Sequence, residues 1–104
     1  MSNNIRVVKL PVNLDKPRNL IYDLNAMIEL EEKYGTQRKA IEAITSKKLK
    51  AIRTWLWAGL VHEDEFLTEK QVGSMLSGAD PEVLLDMVNK IMEALSVNLP
   101  DPKN

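Results

Sequence analysis

A chain of 104 residues has room for one domain with one modest core, and not for a core plus a deep enclosed active site. Its 44% hydrophobic and 28% charged residues are ordinary for a globular protein and exclude disorder throughout. The balance of 14 basic against 15 acidic side chains, net −1, lacks the positive excess with which a duplex nucleic-acid binder meets phosphates.

In chain order, Ile5-Arg6-Val7-Val8-Lys9-Leu10 is short and β-branched, which predicts a strand. Pro11 and Pro17 cannot donate to a ladder and belong on an edge or in a turn. Asp15-Lys16 reads as the turn and Leu20-Ile21-Tyr22 as the returning strand, so a small N-terminal β-hairpin is expected. Two strands are marginal in water, and this hairpin must pack on helices. Asp23 is a suitable N-cap for a helix over Leu24–Tyr34, with Leu24, Met27 and Ile28 on its apolar stripe and Gly35 at its left-handed end. Thr36 caps a short helix through Ala40, Ile41 and Ile44, and Thr45-Ser46 breaks the chain again. From about Lys47 to Val61 a helix carries Leu49, Ile52, Leu56 and Leu60 on one side and Ala51, Trp55 and Ala58 on a second stripe. It is apolar nearly all round from Trp55 onward, as a helix is when buried or covered by a partner. Thr68-Glu69-Lys70-Gln71 matches a capping box ahead of Val72, Met75 and Leu76, and Gly78 stops that helix. Asp80-Pro81-Glu82 opens a last helix with the stripe Leu84, Met87, Val88, Ile91 and Leu95. The expected fold is therefore mainly α (α+β): a compact bundle of about five short helices with the hairpin, one domain over residues 1–97 and a flexible tail over 98–104.

Little in the chain points to catalysis. The absence of cysteine removes disulfides, thiolate zinc sites and cysteine nucleophiles together. His62-Glu63-Asp64-Glu65 is the one cluster of potential metal ligands, but adjacent residues in one loop do not converge on a point and there is no second histidine. Such a run is more simply a solvated acidic loop that also favours the next helix dipole. No glycine-rich phosphate loop is present, and no carboxylate pair is singled out for acid–base work. Neither a catalytic residue, a metal nor a cofactor is assigned. With no basic and apolar leader and no apolar run of membrane-spanning length, a soluble, cytoplasmic protein is expected.

Two surface features suggest binding. Arg38, Lys39, Lys47, Lys48, Lys50 and Arg53 gather with only Glu42 among them. They form either a docking surface or a solvated face that balances the acidic loop. Trp55 and Trp57, two residues apart, point about 160° apart on a helix. One is expected in the core and the other at an interface, where tryptophan is enriched among energetic hot spots, unless both pack under the hairpin. Met27, Met75, Met87 and Met92 either line an adaptable groove or fill gaps in the core.

Two stretches carry a family resemblance. Tyr22-Asp23-Leu24-Asn25-Ala26-Met27 with Glu29-Leu30-Glu31-Glu32-Lys33-Tyr34-Gly35 resembles the "DLNA…LEE…G" segment of tail assembly chaperones of long-tailed, siphovirus-like bacteriophages and prophages. Ile52-Arg53-Thr54-Trp55-Leu56-Trp57-Ala58-Gly59-Leu60, His62-Glu63-Asp64 and Leu67-Thr68-Glu69-Lys70-Gln71-Val72-Gly73 resemble the same family's "LWAGL…LT…VG" segment. Order and spacing agree, over roughly residues 5 to 95, and neither stretch is a catalytic signature. The resemblance implies a non-enzymatic morphogenesis factor of the bacterial host cytoplasm that is absent from the mature virion. Such a factor binds the tape-measure protein, keeps it soluble and helps tail-tube protein assemble around it. In many such phages the gene also yields a longer, frameshifted product. The implied partners are the tape-measure and tail-tube proteins, with no nucleic acid and no membrane, and self-association is compatible with the family.

A tape measure is a long amphipathic chain, and a chaperone for it needs an apolar groove with a charged rim. Trp55, Trp57, Leu60 and Val61, with the methionines, are the candidates for the groove, and Lys47, Lys48, Lys50 and Arg53 for the rim. The alternative is a small helix-turn-helix DNA-binding regulator with the helix from Lys47 to Val61 as its reading element.

Overall fold

Leu20 and Tyr22 point inward from the second strand of a short hairpin, and the rest of the chain packs around that contact. The computed structural model describes residues 7–95. Strand β1 (Val8–Asn13) pairs antiparallel with β2 (Pro17–Tyr22), with Val8 opposite Tyr22 and Leu10 opposite Leu20. Side chains alternate across a strand, so these four and Val12 share the inner face while Lys9 and Pro11 look outward. β1 was expected over Ile5–Leu10 and is found further along. Pro11 and Pro17 lie inside strands because each strand of a two-stranded sheet has a free edge where no amide hydrogen is required. The turn falls at Asp15-Lys16 as expected; the Leu14 amide donates to the Lys16 carbonyl and Asp15 receives the Arg18 guanidinium.

Five helices follow, α1 (Leu24–Tyr34), α2 (Gln37–Thr45), α3 (Leu49–Leu60), α4 (Glu69–Leu76) and α5 (Pro81–Leu95), so the fold is α+β as the sequence predicts. The starts of α1, α2 and α4 are made by the local chemistry that the sequence indicates. The Asp23 carboxylate accepts from the Ala26 amide, and Gly35 turns the chain at φ 93°. The Thr36 hydroxyl accepts from the Lys39 amide. Thr68 and Gln71 complete a reciprocal capping box. Each such cap stabilises its helix by about 1 kcal/mol. The break between α2 and α3 differs from expectation. Lys47 sits at φ 60°, so the third helix begins at Leu49 rather than Lys47, and Leu49 is left exposed instead of joining the buried stripe.

α3 is the centre of the structure. Eight of its twelve residues are buried, and it contacts β2, α1, α2 and α4. Trp55 is fully buried, with its ring against Tyr22 and its indole N–H donating to the Ala40 carbonyl at 3.0 Å. Gly59 lets the hairpin approach: a Cβ there would lie 3.0 Å from the Tyr22 ring and 3.1 Å from Leu20. The core is completed by Leu30, Ala40, Ile44, Leu56, Leu60, Val72, Val88 and Ile91. The flexible tail expected over residues 98–104 lies outside the described residues.

Candidate partner-binding groove

An open groove lies where the flank of α1 meets the last turns of α3 and the loop of residues 62–66. It encloses about 780 Å³. Its apolar lining is Ile21, Ala26, Trp57, Ala58, Val61 and Phe66, and its charged lining is Asp23, Glu29, Glu63, Asp64 and Glu65. Phe66 is 81% exposed, an aromatic ring left in solvent at the mouth of an apolar recess. Single exposed apolar residues are ordinary, whereas an exposed ring beside half-buried apolar neighbours makes a patch.

The walls are held by specific bonds. Trp57 is half-buried; its indole N–H donates to the Leu67 carbonyl at 2.8 Å, and the Lys33 ammonium stands 4.9 Å from its ring centroid. Lys33 also pairs with Glu69 at 3.0 Å. The second Glu69 oxygen accepts a short hydrogen bond from the buried Thr54 hydroxyl. Burial pushes the Glu69 carboxyl up, and the bonds from Thr54 and Lys33 outweigh this to hold it below the usual carboxylate range. Burial pushes the neighbouring Tyr34 phenol up. Charged side chains of α1 and α4 thus hold the Trp57 ring in place from behind.

The loop of residues 62–66 is tied to the hairpin. Glu63 accepts from Arg18 at 2.8 Å and from the Asn19 amide, and the His62 ring bonds the Asn19 carbonyl at 2.9 Å. Asp64 caps the turn by accepting from the Phe66 amide. Two members of this acidic run therefore reach back to the hairpin, a role that the reading as a solvated loop does not include. The described residues hold no group of three or more His, Asp or Glu able to bind a metal.

The candidate residues from the sequence separate into three places. Trp57 and Val61 line the groove. Trp55 and Leu60 are fully buried, so they act on a partner surface only through the packing they support. Lys48 and Lys50 border a different opening of about 670 Å³ with Lys33, Glu42 and Glu69, where both signs of charge are mixed. Lys47 is exposed at the left-handed turn before α3. Arg53 lays its stem across Gly73, in a third recess with Leu49, Ile52, Leu76 and Leu84. Roughly 16 Å of helix separates Lys50 from Val61 at 1.5 Å per residue. The lysines therefore do not rim the groove; its rim is acidic. The methionines do not line it either: Met87 is buried, and Met27, Met75 and Met92 pack against the core. Among the lining residues that the sequence did not single out for partner binding are Glu29, Glu65 and Phe66. The available signal was Phe66 itself, an aromatic inside an acidic loop.

Among the described residues no helix is long and apolar enough to cross a membrane. Comparison of the chain with family models, with curated proteins and with solved structures returned no match.

Proposed function

We propose that this protein is a non-enzymatic tail assembly chaperone of a long-tailed bacteriophage or prophage, which binds the tape-measure protein and assists tail-tube assembly around it. The observation that carries the reading is the open groove between α1 and the end of α3 in which the apolar side chains of Trp57, Val61 and Phe66 stand beside acidic ones. A groove of this kind takes the apolar stripe of an amphipathic helix, which is the surface a tape-measure chain must hide before the tube surrounds it. The resembling segments support the same reading from another side. Their polar residues, Asp23, Lys33, Thr54, Thr68, Glu69 and Gln71, are the caps and braces that keep the groove in shape.

The helix-turn-helix alternative needs the segment from Lys47 to Val61 on the surface. Eight of the twelve residues of α3 are buried, which leaves little of that helix to read a major groove and favours the chaperone reading.

The test is co-expression with the tape-measure protein of the same tail gene cluster, followed by affinity capture. Recovery of a soluble complex, from a tape measure that is insoluble alone, supports the chaperone role. A folded, abundant protein that neither captures nor solubilises the tape measure overturns it.

A further inference from the structure

The charges around the groove differ in how far they are already engaged. Asp23 caps α1, Glu63 is held by Arg18 and the Asn19 amide, and Asp64 caps the turn at Phe66. Glu29 on the α1 wall and Glu65 on the loop wall have no hydrogen-bond or ion-pair partner among the described residues, and no lysine or arginine lines the groove. The apolar lining is thus accompanied by two carboxylates without a partner, one on α1 and one on the loop, next to the exposed Phe66 ring.

We propose that the groove selects a cationic amphipathic helix. Its apolar stripe covers Trp57, Val61 and Phe66, and its lysine or arginine side chains meet Glu29 and Glu65. The inference rests on the chaperone reading only for the partner's name; the groove's chemistry is its own argument. Charge complementarity sets the sign of the partner, because an acidic helix would bring like charges onto both walls and an uncharged one would leave both carboxylates facing an apolar surface. The shape of the recess sets the helical form. An extended segment adds to a sheet through free backbone groups, and the outer edge of β2 beside the groove is closed at Asn19, whose amide and carbonyl are taken by Glu63 and His62. Beyond Ile21 at the end of β2, the lining comes from side chains of α1, α3 and the loop, which suits the side chains of a helix.

The chain carries its own reporters. Its two tryptophans give two indole N–H resonances, one in the core at Ala40 and one at the groove beside Leu67. The full-length, nitrogen-15-labelled protein is titrated with a synthetic helical peptide bearing a leucine stripe and lysines, and with an analogue in which glutamate replaces every lysine. The lysine peptide is expected to shift the Trp57 indole resonance and leave that of Trp55 in place, with the glutamate analogue at least about tenfold weaker. Glu29→Gln combined with Glu65→Gln is expected to lower affinity for the lysine peptide by about tenfold, while Lys48→Gln leaves it unchanged. Both substitutions sit on the surface, and unchanged thermal unfolding confirms that the fold is intact. Equal binding of the two peptides overturns the proposal, as does an unaffected double variant. A Trp57 resonance that moves with the protein's own concentration and not with peptide overturns it in favour of a second copy as occupant.

Co-expression separates this inference from the chaperone reading. A tape measure left insoluble, while the lysine peptide binds, overturns the chaperone reading and supports the inference. A tape measure rescued equally by wild type and by the double variant supports the chaperone reading and overturns the inference.

Discussion

The Tyr22 hydroxyl donates to the backbone carbonyl of Trp55 at 2.8 Å, and the two rings lie tilted at 51° with centroids 5.7 Å apart. The pair joins the hairpin to α3 across more than thirty residues of sequence, in a site without solvent. Burial drives the Tyr22 phenol well above its usual range, so it remains a protonated donor. Tyr22→Phe keeps the ring and removes the donor. It should destabilise the fold by about 1–2 kcal/mol, read as a lower urea midpoint at unchanged slope.

Gly59 and Gly73 both lie inside helices, yet they should respond oppositely to alanine. At Gly59 the new methyl meets the Tyr22 ring, itself held by its hydrogen bond, at 3.0 Å. Overpacking of about 1–3 kcal/mol should exceed the gain of about 1 kcal/mol in helix propensity, so Gly59→Ala lowers stability. At Gly73 the nearest group is the Arg53 stem at 3.2 Å, which can move aside. Gly73→Ala should therefore be neutral or stabilising by up to about 1 kcal/mol. Paired thermal unfolding of the two variants checks the contrast.

Acid should weaken the hairpin turn and the brace behind Trp57 together. The Arg18 guanidinium beside Asp15 holds its carboxyl at about 2, below the ordinary 3.8, and Glu69 is also held low. A carboxyl with a depressed folded-state pKa contributes stability that is present above its unfolded pKa and lost as pH falls through the folded one. Stability should thus be level above about pH 5 and decline from about pH 4 toward pH 2. Asp15→Asn should remove part of that decline and reduce stability near neutrality. Urea unfolding of both proteins across this range provides the comparison.

Binding and folding should separate at Phe66 and not at Trp57. Phe66 is 81% exposed, so Phe66→Ser should change stability by less than about 0.5 kcal/mol while weakening partner capture about tenfold or more. Replacement of Trp57 also removes the hydrogen bond to Leu67 and the contact with Lys33, and should lower stability along with binding. Thermal unfolding beside quantitative capture distinguishes the two variants.

Features made by neighbouring residues are legible in the sequence. The caps at Asp23, Thr36 and Thr68–Gln71 involve groups three residues apart, and their chemistry permits few other outcomes. The central burial of α3 is legible too, because from Trp55 onward its apolar residues leave it no polar face. The sign of the groove's rim is not. Glu29 and Glu65 share a surface only because α1 packs beside the end of α3, whereas Lys50 and Val61, close in sequence, are parted by helical rise. Leu49 fits the buried stripe by spacing, but the left-handed turn at Lys47 places it on the helix's exposed first turn.

The position of α3 has a consequence for the order in which the chain becomes native. The hairpin leaves the ribosome before α3, and the surface that shields Leu20 and Tyr22 is made by residues 55–59. Two strands alone are marginal in water, so residues 8–22 are expected to wait for α3 with their apolar side chains exposed. The chain should then become native around α3 as a template, with the hairpin docking on it once that helix has been made.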